Sequence, residues 1–441
     1  MRFSIRSVFA GLLALAAFFA KPVLADEFDL VVITPHNDAI QTEFTTAFSK
    51  HVGRPVKIRW FMKPTGQALQ TLDATDKASK GGTLDIDVFF GGGVPDHDLA
   101  ASRGFLERPK IPDAILSGIP REIAGVSSFH PDGLWYGSAL STFGILMNRR
   151  GLSSQNIPEP ETWADLAGPK LRSWVIVADP RRSSSVRVCY ELVLQSNGWE
   201  KGWPMIQSIF GNARLVADSS NAIPNEIAKG DVLAGPCIDF YGYAQVAKAG
   251  PEVLKYINAK GGSAITPDPI SMLRKPPHRE MAEKFIAFVL SVDGQKLWIL
   301  PVGEPGGPTK FDLRRTPVRP DVCEQFAEKL VVLDPFKAAA EGAFRTMDQK
   351  LEKARTTLLA ELIGAACVEL LPECQSAWKA LIDGGMKPAA LEEWNRLPFT
   401  EAESLEIAKQ LAAGDRESRK IVRKWTSEFK EKYEKVKKLA R

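Results

Sequence analysis

The sequence predicts an α/β protein of two similar lobes with an added α-helical C-terminal region. Three observations predict it. Short β-branched runs alternate with stretches of helical spacing through the N-terminal two thirds of the chain, which argues for parallel strands covered by helices. One run, residues 134–148 (LWYGSALSTFGILMN), divides that pattern into two βα sets. From about residue 320 the strand signals stop and apolar residues recur at three- and four-residue steps.

The first set opens with a strand at residues 29–34 (DLVVIT), broken by Pro35, His36, Asn37 and Asp38. Ile40, Phe44, Ala47 and Phe48 then mark a helix, and residues 56–61 (VKIRWF) a second strand. Pro64, Thr65, Gly66 and Gln67 form a turn into another helix. Residues 86–90 (IDVFF) form a third strand that ends in Gly91, Gly92 and Gly93. Residues 134–148 are too polar in the middle for a membrane span, and too rich in Tyr, Phe, Thr and Ile for a natural helix. They read as two strand pieces joined through Ser141, Thr142, Phe143 and Gly144, crossing from one lobe to the other.

In the second set, Thr162 and Asp165 have the spacing of a capping box. A strand at residues 175–178 leads through Asp179, Pro180, Arg181, Arg182, Ser183, Ser184 and Ser185 into a helix. Ser219, Ser220 and Asn221 read as the cap of another. Residues 232–240 (VLAGPCIDF) read as a strand, which Pro236 makes an edge or interrupted one. Ile421, Trp425, Phe429 and Tyr433 form the apolar stripe of a basic last helix. Eleven Lys/Arg and five Asp/Glu lie between residues 415 and 441, and the stripe is expected to pack on the body with the charges in solvent.

Residues 1–25 read as a secretory signal: Arg2 and Arg6, an apolar core at residues 8–20, and a small-residue exit ending at Ala25. The chain has 57 Lys and Arg against 53 Asp and Glu, and removal of Arg2, Arg6 and Lys21 leaves 54 against 53. A chain so near neutrality is not built to coat nucleic acid. The five cysteines (Cys189, Cys237, Cys323, Cys367 and Cys374) have no zinc-ligand spacing. They are expected to form one or two disulfides plus buried thiols; Cys367 and Cys374 are near enough to join.

Ligands of open α/β sheets bind beyond the carboxyl ends of strands. His36 and Asn37, Thr65 and Gly66, and Gly92 and Gly93 all occupy that position. Ser183, Ser184 and Ser185 at a helix start offer hydroxyls and N–H groups to an anion, or else a simple N-cap.

The segments ADPRRSSS, IDFYG, TPDPI, LSVDGQKLW, GEPGGP and PETWADL, in this order-specific set, resemble the periplasmic solute-binding proteins of ABC importers, in the branch with ferric-iron-binding and sugar-phosphate-binding members. The likeness covers about residues 26–320. It implies a two-lobed periplasmic-binding-protein-like fold with two crossover strands, the first at residues 134–148 and the second near residues 239–245. The expected division is 26–137 with 246–320 as lobe 1, 138–245 as lobe 2, and 321–441 as a helical extension. The implied activity is capture of a small anionic solute (a phosphate ester, phosphonate or carboxylate) by hinge closure, without catalysis or cofactor, by a periplasmic monomer that serves an ABC permease. A membrane sensor is the other customer such a fold serves.

Ser141 and Thr142 are then expected to face the cleft. Ferric-binding members use a His near His36, an acid and two adjacent tyrosines. Here Tyr241 stands between Phe240 and Gly242, so the tyrosine pair is broken. Tyr241, Asp239 and His36 with a synergistic anion remain the alternative, with Fe³⁺ as transported ligand. A secreted hydrolase is a further alternative; of the five histidines only His36, with Ser184 and Asp38, assembles a triad.

Overall fold

The computed structural model describes residues 27–329, 334–412 and 414–441. The expected signal segment lies outside them. Among the described residues no helix is long and apolar enough to cross a membrane.

The N-terminal strands Leu30–Thr34, Ile58–Met62 and Val88–Phe90 pair in parallel, with Leu30–Thr34 in the middle. Helices Asp38–Val52, Thr65–Ser79 and Val94–Ser102 follow them in turn, so each strand runs into a helix as its sequence indicates. The second set has Val175–Ala178 in parallel with Ala213–Ala217 and Ala234–Ile238. The capping box at Thr162 and Asp165 forms.

The strand Trp135–Asn148 ties the two sets into one ten-stranded sheet. It is a single strand of 14 buried residues, where two pieces were expected. The division is instead one of partners. Residues up to Thr142 pair antiparallel with Ile265–Leu273, and residues from Phe143 onward pair with Ala234–Ile238 on one side and Leu254–Asn258 on the other. The hand-over falls between Thr142 and Phe143, within the bend that the sequence suggested.

Residues 239–245, expected as the second crossover, are the start of helix Asp239–Ala249. The strand before it stops at Ile238. The chain returns later, from Leu254–Asn258 to Ile265–Leu273, so residues 246–258 stay with the second set rather than rejoining the first at 246. Pro267 and Pro269 disguise that return strand, because proline cannot donate to a ladder. The structure accommodates them with a register shift between Asp268 and Pro269. The N–H groups opposite are directed away from this pair: Leu140 N donates to Thr316 O at 2.8 Å and Gly137 N to Ser128 O at 2.7 Å.

The C-terminal region is helical, as expected. Helices Leu371–Asp383, Pro388–Asn395 and Arg416–Ala440 pack on Trp199–Asn212 of the second set. Trp378 Nε1 donates to Asn212 Oδ1 (2.7 Å) and Trp394 Nε1 to Ser208 Oγ (3.1 Å). Trp425, Phe429, Tyr433 and Val436 bury the stripe of the last helix, which accounts for it as core. The cysteine expectation fails: all five are free and buried. Cys367 and Cys374 sit in this apolar core as small hydrophobic side chains, and Cys374 Sγ reaches Gln207 O at 3.6 Å.

Candidate functional site

A partly enclosed cavity lies between the two halves of the sheet. Its first wall comes from the N-terminal set. His36 follows the first strand, Pro64 and Thr65 open helix Thr65–Ser79, and Gly92 and Gly93 lead into Val94–Ser102. Gly91 and Gly92 have φ of +85° and +105°, and a Cβ on them would meet His36 Nε2 at 2.4 Å and the Thr65 side chain at 2.8 Å. Only glycine lets the turn pass under both groups.

The facing wall comes from the second set: Arg182, Ser183, Ser184, Ser185, Ser219, Ser220, Phe240 and Tyr241. Phe143 lies at the junction, and Thr266 and Asp268 reach in from the return strand. The hydroxyls are linked: Ser185 Oγ donates to Ser220 Oγ at 2.7 Å and lies 3.4 Å from Ser183 Oγ.

The walls touch. Ser184 Oγ donates to Thr65 Oγ1 at 3.1 Å. Arg187 Nη2 binds both carboxylate oxygens of Asp96 at 2.8 and 2.9 Å, and both side chains are buried. A Cβ on Gly66 would sit 2.2 Å from Arg181 O. The structure is therefore a closed one.

Three helices, Thr65–Ser79, Val94–Ser102 and Ser184–Asn197, present their first turns to this cavity, and none has a side-chain cap. Each such terminus leaves N–H groups without intrahelical acceptors and carries partial positive charge. A fourth, Asp239–Ala249, starts at the same wall, with Phe240 N donating to Asp239 Oδ1 at 2.7 Å.

Behind the wall lies a buried cation. Arg315 is 1 % exposed, donates to Ser141 Oγ (2.8 Å) and pairs with Asp268. Its guanidinium stacks 4.1 Å over Phe240, while its Nε and Nη1 have no hydrogen-bond partner. His36 is buried too, with Nε2 unpartnered, and burial, then the Arg315 charge, push its pKa well below the usual value. His36 is a neutral imidazole. Burial raises the Tyr241 phenol, so it stays protonated. Burial likewise lifts the Asp239 carboxyl to about 7, against the Arg315 charge and the N–H groups of Thr142 and Phe240.

The structure thus brings together His36, Thr65, Gly92, Gly93, Ser183, Ser184, Ser185 and Tyr241. It leaves out five of the expected residues. Asn37 caps helix Asp38–Val52 through Ile40 N. Gly66 lies at the contact with Arg181. Ser141 and Thr142 do not line the cavity: the first accepts from Arg315, and the second is held by Asp239 and Asn258 (Thr142 Oγ1 to Asn258 Oδ1, 2.8 Å). The strand alternation puts Phe143 on the cavity face instead. Asp239 binds backbone behind the wall. The hydrolase triad does not assemble, since Ser184 donates to Thr65, His36 Nε2 is unpartnered and Asp38 is exposed. Residues the sequence did not mark are Asp268, Ser219 and Ser220 as lining groups, Gln349 and Glu352 from the C-terminal region, and Arg315 behind the wall.

Two α/β halves meeting at a shared strand, with uncapped helix starts around an interlobe cavity, define a two-lobed α/β fold. Residues 94–301 match the family model of bacterial extracellular solute-binding proteins. The chain is 31% identical over 160 residues to the phosphoglycerate transport regulatory protein PgtC of Salmonella typhimurium, a match covering 36% of this chain and 39% of that protein. The match thus spans about two fifths of that curated relative's length. In fold it is similar to the periplasmic binding protein AfuA of Actinobacillus pleuropneumoniae, solved with fructose-6-phosphate bound (TM-score 0.60, 17% identity, 77% of this chain and 98% of that one). It is also similar to the apo ferric ion-binding protein A of Pasteurella haemolytica (TM-score 0.55, 14% identity, 79% and 97%). The resemblance read from the sequence holds, and the matched family and folds are those of binding proteins.

Proposed function

We propose that the chain is the periplasmic solute-binding component of an ABC-type importer, and that it captures a small anionic solute, a phosphate ester before a phosphonate or carboxylate. The observation that carries this is the meeting of three uncapped helix N-termini with the Ser183, Ser184 and Ser185 hydroxyls at one cavity. Such termini bind phosphate and carboxylate through N–H groups and the helix dipole. Arg182 adds a cation at the rim. The phosphoglycerate and fructose-6-phosphate in the names of the relative and of the AfuA structure support a phosphate ester. Closure works by differential affinity: a ligand that contacts both walls stabilises the closed form over the open one. The same site would serve a membrane sensor, the customer that the relative's regulatory name favours.

One observation favours a second reading. Tyr241 and His36 line the same cavity, which the ferric carrier with a synergistic anion requires.

A thermal-shift screen against phosphate esters, phosphonates, carboxylates and Fe³⁺ tests both, because a ligand of the folded state raises Tm. Stabilisation by phosphate esters is expected. Stabilisation by Fe³⁺ alone, abolished in Tyr241→Phe, would favour the second reading. Turnover of a chromogenic ester, lost in Ser184→Ala, would contradict a role in binding alone.

A further inference from the structure

The C-terminal region reaches the cavity. Helix Gln349–Ile363 lies across both walls, and Gln349 and Glu352 line the space between them. It is tied to both sides. Ser127 N donates to Gln349 Oε1 (2.9 Å), and Lys353 pairs with Asp98 on the first side. Asp348 N donates to Gln195 Oε1 (2.9 Å), and Arg355 grips Glu191 with both Nε and Nη2 on the second. The helix is held by partners on either side of Glu352.

Glu352 itself is different. It is 6 % exposed, yet among the described residues its carboxyl has no hydrogen-bond or ion-pair partner. Its neighbours are already committed: Arg187 to Asp96 and Arg355 to Glu191. A largely buried carboxyl whose oxygens face a cavity and bond to no described residue is open to a ligand. It is retained here on the one face that opens into the cavity.

We propose that Glu352 is a specificity-determining contact of the binding site: it exchanges hydrogen bonds with a hydroxyl of the solute, so that the chain selects a hydroxyl-bearing phosphate monoester over a phosphate ester without hydroxyls. The proposal rests on the anion reading above and adds to it the non-anionic end of the ligand. The reasoning is chemical. The helix N-termini and serines answer negative charge. Near Glu352 stand Asp96, Asp98 and Glu191, partly answered by Arg187, and burial, then Glu191, raises the Glu352 carboxyl well above its usual value, which favours the neutral form. A neutral carboxyl both donates and accepts, which matches a hydroxyl in both directions. A bare alkyl group at the same place leaves that carboxyl buried and unpaired.

The test is titration calorimetry on the full chain with two probes of equal charge, glycerol 3-phosphate and methyl phosphate, for wild type, Glu352→Gln and Glu352→Ala. Wild type is expected to bind glycerol 3-phosphate tighter by about tenfold or more, the scale of one or two hydrogen bonds. Glu352→Ala is expected to lose most of that ratio while methyl phosphate affinity stays within about twofold. Glu352→Gln, which keeps a donor and an acceptor, retains most of it and guards against a misfolded alanine variant. An unchanged ratio in Glu352→Ala overturns the proposal and leaves the anion site standing. Equal weakening of both probes also overturns it, because that is the mark of a structural role. If neither probe binds wild type, the anion reading fails and this proposal fails with it.

Discussion

The C-terminal bundle and the interlobe cavity treat buried polar groups in opposite ways. In the bundle they are paired. Arg355 is fully buried and binds Glu191 and Glu401. Lys432 donates to Gln207 Oε1 and Arg396 O, and Tyr433 to Ala366 O. Helices Gln349–Ile363, Glu401–Leu411 and Arg416–Ala440 are capped by Asp348, Thr400 and Asp415, while Leu371–Asp383 and Pro388–Asn395 start on proline without a side-chain cap. Among the described residues, Trp203 Nε1, beneath the last helix, and Arg345 Nε are exceptions. At the cavity the helix starts lack side-chain caps, His36 Nε2 and, behind the wall, two donors of Arg315 lack partners, and the Glu352 carboxyl bonds to no described residue. Satisfied groups stabilise a fold, whereas groups left open at a cavity are ready for a ligand.

The largest way to break the contrast is Arg355→Ala. It strands Glu191, which is 2 % exposed, and should cost about 3–5 kcal/mol, read from chemical denaturation. The same loss of charge at half-buried Arg182, whose partner Asp218 stays in solvent, should cost under about 1 kcal/mol.

Gly66→Ala acts on the cavity side. Its Cβ would collide with the Arg181 backbone carbonyl only when the walls are closed. Phosphate-ester affinity should fall about tenfold or more, with Tm of the unliganded chain nearly unchanged. Equal affinity would mean that the walls need not meet as they do here.

A smaller effect comes from pH. Burial, with Glu191, Asp96 and Asp98 adding to it and Arg187 opposing, raises the Glu352 carboxyl well above its usual value. Below the unfolded pKa both states are protonated and nothing is lost. Above it the unfolded chain releases the proton first, so stability falls as pH rises toward the folded pKa. Glu352→Gln removes that loss. Its Tm should match wild type near pH 4 and exceed it by about 2–4 °C near pH 7.5, followed by calorimetry. A variant less stable than wild type at both pH values would show that Glu352 has a partner.

Much of the first wall was legible in the sequence, because each part is local: a strand, a break, a helix start. His36, Thr65, Gly92 and Gly93 follow from that alone, as do the three serines of the facing wall. Ser141 and Thr142 were misplaced by one position of strand alternation, which is fixed by partners far away in sequence. The second crossover was hidden by Pro267 and Pro269, which local rules keep out of interior strands. Asp268, Arg315 and Glu352 carried no local signal. Glu352 in particular lies on an amphipathic helix beyond the recognised region, and only the docking of that helix puts its carboxyl at the cavity.

The most direct measurement turns one region into the other. Ser183→Asp gives the helix Ser184–Asn197 the kind of carboxylate cap that Asp348 and Asp415 give their helices. The account predicts that phosphate-ester binding, followed by calorimetry, is lost because the new carboxylate takes the anion's place. It also predicts that the unliganded chain becomes more stable by up to about 1 kcal/mol. Undiminished binding in a folded Ser183→Asp chain would contradict the account.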